Sequence, residues 1–445
     1  MLCALPVETA ARELDGMLYL ALHLAARGLP SLLGERMVGR IVKQAARPVL
    51  YFDSDQHVPT NSRILQAGGL VFNLNPEGQG IADNSPRYQK NFARIAEHVS
   101  TMLTFGQVQA DILRGHIPEA LHHVLKVTGH PSFDLATPAF LPYYASEDIR
   151  RAHGDDYILV NTSFAFFNHV MGFENYVAML ARMPEWSVYA TPEHQELLHA
   201  KRAHQEQVAL GLVEVIGRLA RAGRRVVLRP HPGEGTAFYK EHLSGVDGVA
   251  IDKSGSARQW IATAGAVIHH DCTTGMEAML LGKPVIQYGD PGAPGLTARL
   301  MADVGRPARS PEDVLHALDE GLRAEDVERF RQGIGPHLAN LHQNASRTIA
   351  ALAEELGQGS ETWLPERLGP CGRLKVWRKH VSRVLRSKQP GRKGREARYA
   401  LAKFPRLYRD EVLKRLVALR AIEPELPPVA VDELCMDTFL IRPLD

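Results

Sequence analysis

Short apolar runs alternate along this chain with longer stretches in which apolar residues recur every three or four positions. In the first third the runs are residues 2–6, 29–34, 48–52, 69–74, 102–105 and 126–128. Each is too short for a helix and is bounded by turn-forming residues, so each predicts a buried strand. Residues 9–27 instead place Leu14, Leu18, Ala21, Leu22 and Ala25 on one helical face, with Gly28 as the stop. Strands alternating with helices predict a doubly wound α/β domain over residues 1–150.

The pattern then repeats. Apolar runs at 157–160, 224–228, 249–251, 264–268 and 284–287 predict strands. Helical periodicity covers 192–222, 257–263, 275–281, 311–322 and 326–356, and Thr191 followed by Pro192 suits the start of the first. A second α/β domain over 151–356 follows. Residues 357–445 read as a basic, mostly helical C-terminal extension. Within it Leu374, Trp377, Val381 and Val384 share a side, Gln389-Pro390-Gly391 makes a break, and residues 395–419 form a further helix interrupted at Pro405.

Charge sharpens this last point. Residues 367–420 carry 18 Lys and Arg against 3 Asp and Glu, a local +15, whereas the remainder has 34 basic and 47 acidic residues, a net −13. A basic stretch with an aromatic on its apolar side fits an anionic membrane surface. Nucleic acid is a competing partner, disfavoured by the acidic body. A solvated helix and linker is the plain alternative. No apolar run is long enough to span a bilayer. Glu8, Arg12, Glu13 and Asp15 interrupt the place of a signal-peptide core. The four cysteines have no paired spacing. The expected setting is the cytoplasm, with 367–420 at the inner membrane.

The candidate chemistry lies at the carboxyl ends of the predicted strands, where open α/β sheets bind ligands. One loop reads Leu228-Arg229-Pro230-His231-Pro232-Gly233-Glu234-Gly235, another His269-His270-Asp271-Cys272-Thr273-Thr274-Gly275-Met276-Glu277. The second opens a helix, whose free N–H groups with the Thr273 and Thr274 hydroxyls and Gly275 suit a phosphate. Arg229 and His231 would add donors, and Glu277 would accept from ribose hydroxyls. Singly, His-Pro can be only a turn and Thr-Thr-Gly only a cap; together they point to a nucleotide. Asn161 and Thr162 end the strand 157–160 and would touch the donor or merely cap the next segment. Phe164, Phe166, Phe167, Asn168 and His169 form a plug or a pocket wall. In the first domain Glu8, Asp53, Asp55 and Glu77 follow strands and are caps or candidate bases. Arg12 and Asp15 are spaced for a surface ion pair. Gly129-His130-Pro131-Ser132-Phe133-Asp134 is assigned a structural turn.

These motifs, with Pro6-Val7-Glu8, Thr104-Phe105-Gly106, Val127-Thr128-Gly129-His130-Pro131-Ser132-Phe133-Asp134-Leu135 and Ile158-Leu159-Val160-Asn161-Thr162, resemble the bacterial surface carbohydrate biosynthesis proteins over residues 1 to about 350. More widely the second half resembles the donor domain of GT-B glycosyltransferases that use CMP-activated sugars. The resemblance implies a GT-B-like α/β fold, two Rossmann-like domains facing a cleft. It also implies transfer from a nucleotide sugar, CMP-linked by preference, to a glycan or lipid-linked acceptor; no metal or other cofactor is expected, since cationic and helix-dipole groups can take that role. By this resemblance His231, Thr273 and Thr274 would hold the donor phosphate and Glu277 the ribose; the base expected from the strand-end carboxylates of the first domain is Glu8 or Glu77. Threonines stand where serines are more usual, which touches the donor's identity. The rivals are a non-hydrolysing UDP-N-acetylglucosamine 2-epimerase and a non-catalytic polysaccharide assembly protein.

Overall fold

The computed structural model describes residues 1–35, 37–54, 57–76, 92–182, 191–290, 292, 295–297, 299–302 and 304–444. It divides into two compact units, Met1–Leu135 with Pro336–Asp445, and Ala136–Gly335.

In the first unit six strands, β1 (Cys3–Pro6), β2 (Ser31–Gly34), β3 (Leu50–Asp53), β4 (Leu70–Asn73), β5 (Thr101–Thr104) and β6 (Leu125–Val127), pair in parallel in the order β2-β1-β3-β4-β5-β6. Leu2, Leu5, Leu32, Leu50 and Val71 are fully buried, as strands covered on both faces require. The helix Ala10–Ala25 follows β1. Its N-terminus is closed by buried Glu13, which accepts from the backbone N–H groups of Glu8 (3.0 Å) and Thr9 (3.2 Å). From Gly16 to Ala25 every residue is buried, so the predicted single apolar face is an underestimate. Gly16 has to be glycine, because a Cβ there would lie 2.8 Å from the Ser132 backbone nitrogen.

In the second unit β7 (Ile158–Asn161), β8 (Val226–Arg229), β9 (Val249–Ile251), β10 (Ala266–His269), β11 (Val285–Tyr288) and β12 (Arg306–Ala308) form a parallel sheet ordered β12-β11-β10-β7-β8-β9. The order reverses between β7 and β10, which is the Rossmann arrangement with its ligand crevice at that switch point. The 30-residue helix Pro192–Arg221 buries Val208, Leu212, Val215, Ile216 and Leu219 against this sheet. Thr191 stands at its N-cap, but the hydroxyl pairs with the His194 ring (2.9 Å) and caps no backbone N–H. The helix expected over 326–356 is two, Ala324–Ile334 and Ala345–Leu356; Gly335-Pro336 breaks it, since proline supplies no N–H to continue the ladder.

The chain rejoins the first unit at Pro336, which corrects the expected divisions at 150 and 356. The physical reason is a set of buried grips. Asp134 accepts from Ala345 N–H (2.8 Å), Ser346 N–H (2.7 Å), Ser346 Oγ (2.7 Å) and Asn340 Nδ2 (2.6 Å). Residues 129–134 thus do have the structural role expected of them, as a dock for the returning chain. Three helices follow, Pro370–Ser387, Gly391–Lys403 and Arg409–Ile422, with breaks at the two prolines singled out in the sequence. A hairpin then closes the chain: β13 (Val429–Cys435) pairs with β14 (Thr438–Pro443), and β14 runs antiparallel along β2. The C-terminal segment is helical as expected over three helices, but its final hairpin makes it part of an eight-stranded sheet and not an appended extension.

Candidate functional site

The carboxyl ends of the three central strands of the second sheet stand level. His269 on β10 is in register with Asn161 on β7, and Asn161 with Arg229 on β8. Register partners in a parallel sheet project to the same face. That face carries the helix Thr273–Leu280, because a Cβ on Gly275 would lie 2.5 Å from the His269 ring. Gly275 thus serves close packing of helix on strand. His269, Asn161 and Arg229 form a row beneath the start of this helix, at the switch point.

Each member of the row keeps a polar atom that no protein group satisfies. Both amide atoms of Asn161 lack a partner, although the residue is 2 % exposed. His269 Nε2–H donates to the Val304 carbonyl (2.8 Å), which leaves Nδ1 as an unpaired acceptor. Arg229 donates from Nη2 to the Gly255 carbonyl (2.7 Å) and leaves Nε unpaired. Burial pulls Arg229 below the usual guanidinium range, while nearby Cys272, Asp252 and Glu277 oppose that pull. An unpaired buried polar group costs about 1–3 kcal/mol, which a water or a ligand atom at these positions would recover.

The His-Pro loop beside the row is held from below. Glu234, fully buried, accepts from Thr162 Oγ1 (2.8 and 3.0 Å), Tyr239 Oη (2.5 Å), Phe164 N–H (2.9 Å) and His231 N–H (3.2 Å). Thr162 is 1 % exposed and its hydroxyl is spent on this carboxylate, which corrects its expected role in donor binding. Lys253 Nζ donates to the carbonyls of Pro232 (3.1 Å) and Glu234 (2.7 Å). Asn168 donates to the Gly235 carbonyl (2.8 Å), and Phe167 packs edge-on against Phe238. The aromatic loop therefore packs within the second unit and braces the His-Pro loop.

His231 Nδ1 accepts from the Gly233 N–H at 3.1 Å, so the ring proton is on Nε2. Surrounding protein, then Lys253, His169 and Arg229, push its pKa down to about 4, although the residue is exposed. At neutral pH it is an uncharged donor. The positive charge in the row comes from Arg229.

Thr273 is exposed and Thr274 half-buried at the first helical positions, with Cys272 as the N-cap. Glu277 lies one turn on. Its Oε2 accepts from Arg258 Nε at 2.6 Å, and Arg258 also donates to Tyr144 Oη at 3.0 Å. Although burial opposes its charge, Arg258 stays protonated beside Tyr144 and Glu277. Neither Arg258, Lys253 nor Glu234 was assigned a role from the sequence. Lys253 follows β9 and so shares the strand-end edge that flagged Arg229.

In the first unit Glu8 is exposed, and its Oε1 accepts from Lys403 Nζ at 2.6 Å. Glu77 and Asp55 lie outside the described residues. Asp53 is fully buried and accepts from Asn61 (2.9 Å) and Asn73 (3.2 Å), a structural role. Arg12 bonds Glu13 (3.1 Å) and Asp15 bonds Arg415 (2.6 Å).

No protein-family model matches this chain, and no curated protein sequence matches it. Among solved structures it is similar to a putative UDP-N-acetylglucosamine 2-epimerase from Listeria monocytogenes, at 12% identity over 82% of this chain and 98% of that one, TM-score 0.49. It is similar to the wall teichoic acid polymerase TagF, at 14% identity over 73% and 76% of the two chains, TM-score 0.45. A UDP-GlcNAc 2-epimerase from Methanocaldococcus jannaschii, solved with UDP-GlcNAc and UDP, is similar at 12% identity over 80% and 100%, TM-score 0.46.

Proposed function

We propose that the second unit binds a nucleotide sugar and that the protein is a glycosyltransferase of surface polysaccharide synthesis. The observation that carries this is the level row His269–Asn161–Arg229 with its unpaired buried polar atoms, set under a helix N-terminus at the sheet's switch point. The helix N–H groups, the Thr273 and Thr274 hydroxyls, Arg229 and His231 Nε2–H suit a phosphate. Asn161 can both donate and accept, which suits the sugar or base. Glu277 suits the ribose diol through the oxygen that Arg258 leaves free of its bond.

The loop pair resembles in sequence those that use CMP-linked acidic sugars, and the single phosphate of such a donor fits the helix N-terminus. During transfer the glycosidic C–O bond breaks and the electron pair goes to the leaving phosphate. Arg229 and the helix N-terminus would stabilise that developing charge. The acceptor, a glycan or lipid-linked hydroxyl, would lose its proton to Glu8 or Glu77. Use of Glu8 requires its pair with Lys403 to open.

The test is release of CMP from CMP-linked acidic sugars with a polysaccharide or lipid-linked acceptor present. Arg229→Ala is expected to lower kcat/KM by about 10²–10³-fold. Interconversion of UDP-N-acetylglucosamine and its 2-epimer without acceptor would replace the transferase by the epimerase. Nucleotide-sugar binding with no turnover of any donor would leave the assembly protein.

A further inference from the structure

The basic C-terminal segment contains a helical hairpin that the donor site does not use. The helices Pro370–Ser387 and Gly391–Lys403 pack against each other. The turn between them is tight: Gly391 has φ +83°, and a Cβ on Gly394 would lie 1.9 Å from the Gln389 carbonyl oxygen. Arg398 Nη1 donates back to the Ser387 carbonyl at 2.6 Å. This is a formed element and not a solvated linker.

The first helix of the pair has no buried residue along its 18 positions. Leu374 is 52 % exposed, Trp377 51 % and Leu385 58 %. At 3.6 residues per turn these three project within one narrow stripe, with Val381 between them. Arg373 and Arg378 border the stripe and Lys388 continues it past the helix end, while Lys375, Lys379 and Arg386 lie on the far side. Arg383 faces elsewhere and is taken by Glu35 at 3.1 Å. On the second helix Tyr399 is 65 % exposed. Between 370 and 403 the chain has 12 Lys and Arg and one Glu.

We infer that this hairpin is a peripheral membrane anchor, lying in the interface of an anionic bilayer with Leu374, Trp377 and Leu385 inserted among the acyl chains. Two features select lipid over other occupants. An exposed stripe of Leu, Trp and Leu bordered by Arg and Lys matches the amphipathic interfacial helix, whose apolar side enters the acyl boundary while basic side chains snorkel to headgroups. The net positive charge of the hairpin, on an otherwise acidic protein, complements anionic headgroups and would be repelled by a second copy of itself. Among the described residues no helix is long and apolar enough to cross a membrane, so the attachment is in the plane of one leaflet.

The full chain is tested by sedimentation with vesicles of phosphatidylcholine alone and of phosphatidylcholine with phosphatidylglycerol. Binding is expected only to the anionic vesicles and to weaken in high salt. Reversing Arg373, Arg378 and Lys388 to Glu is expected to weaken it by more than about 100-fold, since each basic residue near the surface contributes roughly fivefold. Leu374→Glu with Trp377→Glu is expected to abolish binding with the melting temperature unchanged. Tryptophan emission should be quenched by lipids brominated in their acyl chains, and that quenching should be lost in Trp377→Leu. Equal binding to neutral vesicles, no binding to anionic vesicles, retention of nucleic acid in place of vesicles, or a concentration-dependent dimer lost in Trp377→Glu would each overturn the inference. None of these readouts depends on donor binding or turnover.

Discussion

Asn161 and Glu234 show opposite ways for a buried polar side chain to matter. Asn161 has no protein partner for either amide atom, so it gives the fold little. Asn161→Ala is expected to melt no lower than the wild type while nucleotide-sugar affinity falls by up to about tenfold, the effect of one lost neutral hydrogen bond. Glu234 accepts four donors from residues 162, 164, 231 and 239. Its removal leaves the Phe164 and His231 N–H groups without this acceptor and the Thr162 and Tyr239 hydroxyls only each other (3.3 Å), and Glu234→Ala should cost about 3 kcal/mol, read as a lowered urea midpoint of the second unit. The positions of Arg229, His231, Thr273 and Glu277 were legible because each follows an apolar strand, and strand ends are where such sheets bind. Thr162 also ends a strand. Its real partner sits 72 residues away, and nothing in local pattern reveals that. The Arg258–Glu277 pair is likewise hidden, because 19 residues and a strand separate its members.

At the scale of elements, the parallel strands were legible because both faces of each are covered and their sequences are apolar throughout. The helix Ala10–Ala25 could have been read further. Leu18-Tyr19-Leu20-Ala21-Leu22-His23-Leu24-Ala25 is apolar all round, the mark of a helix buried on every side. Its outer cover includes Asn344, whose Nδ2 donates to Tyr19 Oη (2.8 Å), and Glu423, which accepts from that hydroxyl (2.6 Å). Strand β12 escaped because Arg306 and Pro307 look like loop; the guanidinium is buried and held by Asp326 (3.1 Å) and Glu320 (2.6 Å). The β13–β14 hairpin escaped because its turn uses Asp437 at φ +59° in place of the Asn-Gly signal, and a register shift between Glu433 and Cys435 disturbs the alternation. A chain ended after residue 427 should separate this hairpin from a dispensable tail. It exposes the β2 edge and removes buried Phe439, Leu440 and Ile441. Aggregation or a much lowered melting temperature is expected, where loss of a tail would leave melting unchanged.

Over the whole molecule, buried histidines set the response to acid. Burial pushes His23, His269 and His270 from 6.5 down to about 4. Their neutral forms favour folding in full above pH 6.5. As pH falls toward 4 the unfolded chain takes up protons that the folded chain does not, and stability is lost. Asp134 works the other way: burial raises it to about 6, so between about 6 and 3.8 the folded chain holds the extra proton. Three imidazoles outweigh one carboxyl, and the urea midpoint should fall between pH 7 and pH 5; a rise would contradict these assignments. Nucleotide binding by the second unit is tested most directly by calorimetric titration of CMP, CDP, UMP and UDP into the wild type and Arg229→Ala. A site in the His269–Asn161–Arg229 row requires heat of binding with CMP that weakens by about 10–100-fold in the variant, the loss of one charge-assisted hydrogen bond. Absence of binding by all four nucleotides, or equal affinity in both proteins, would contradict it.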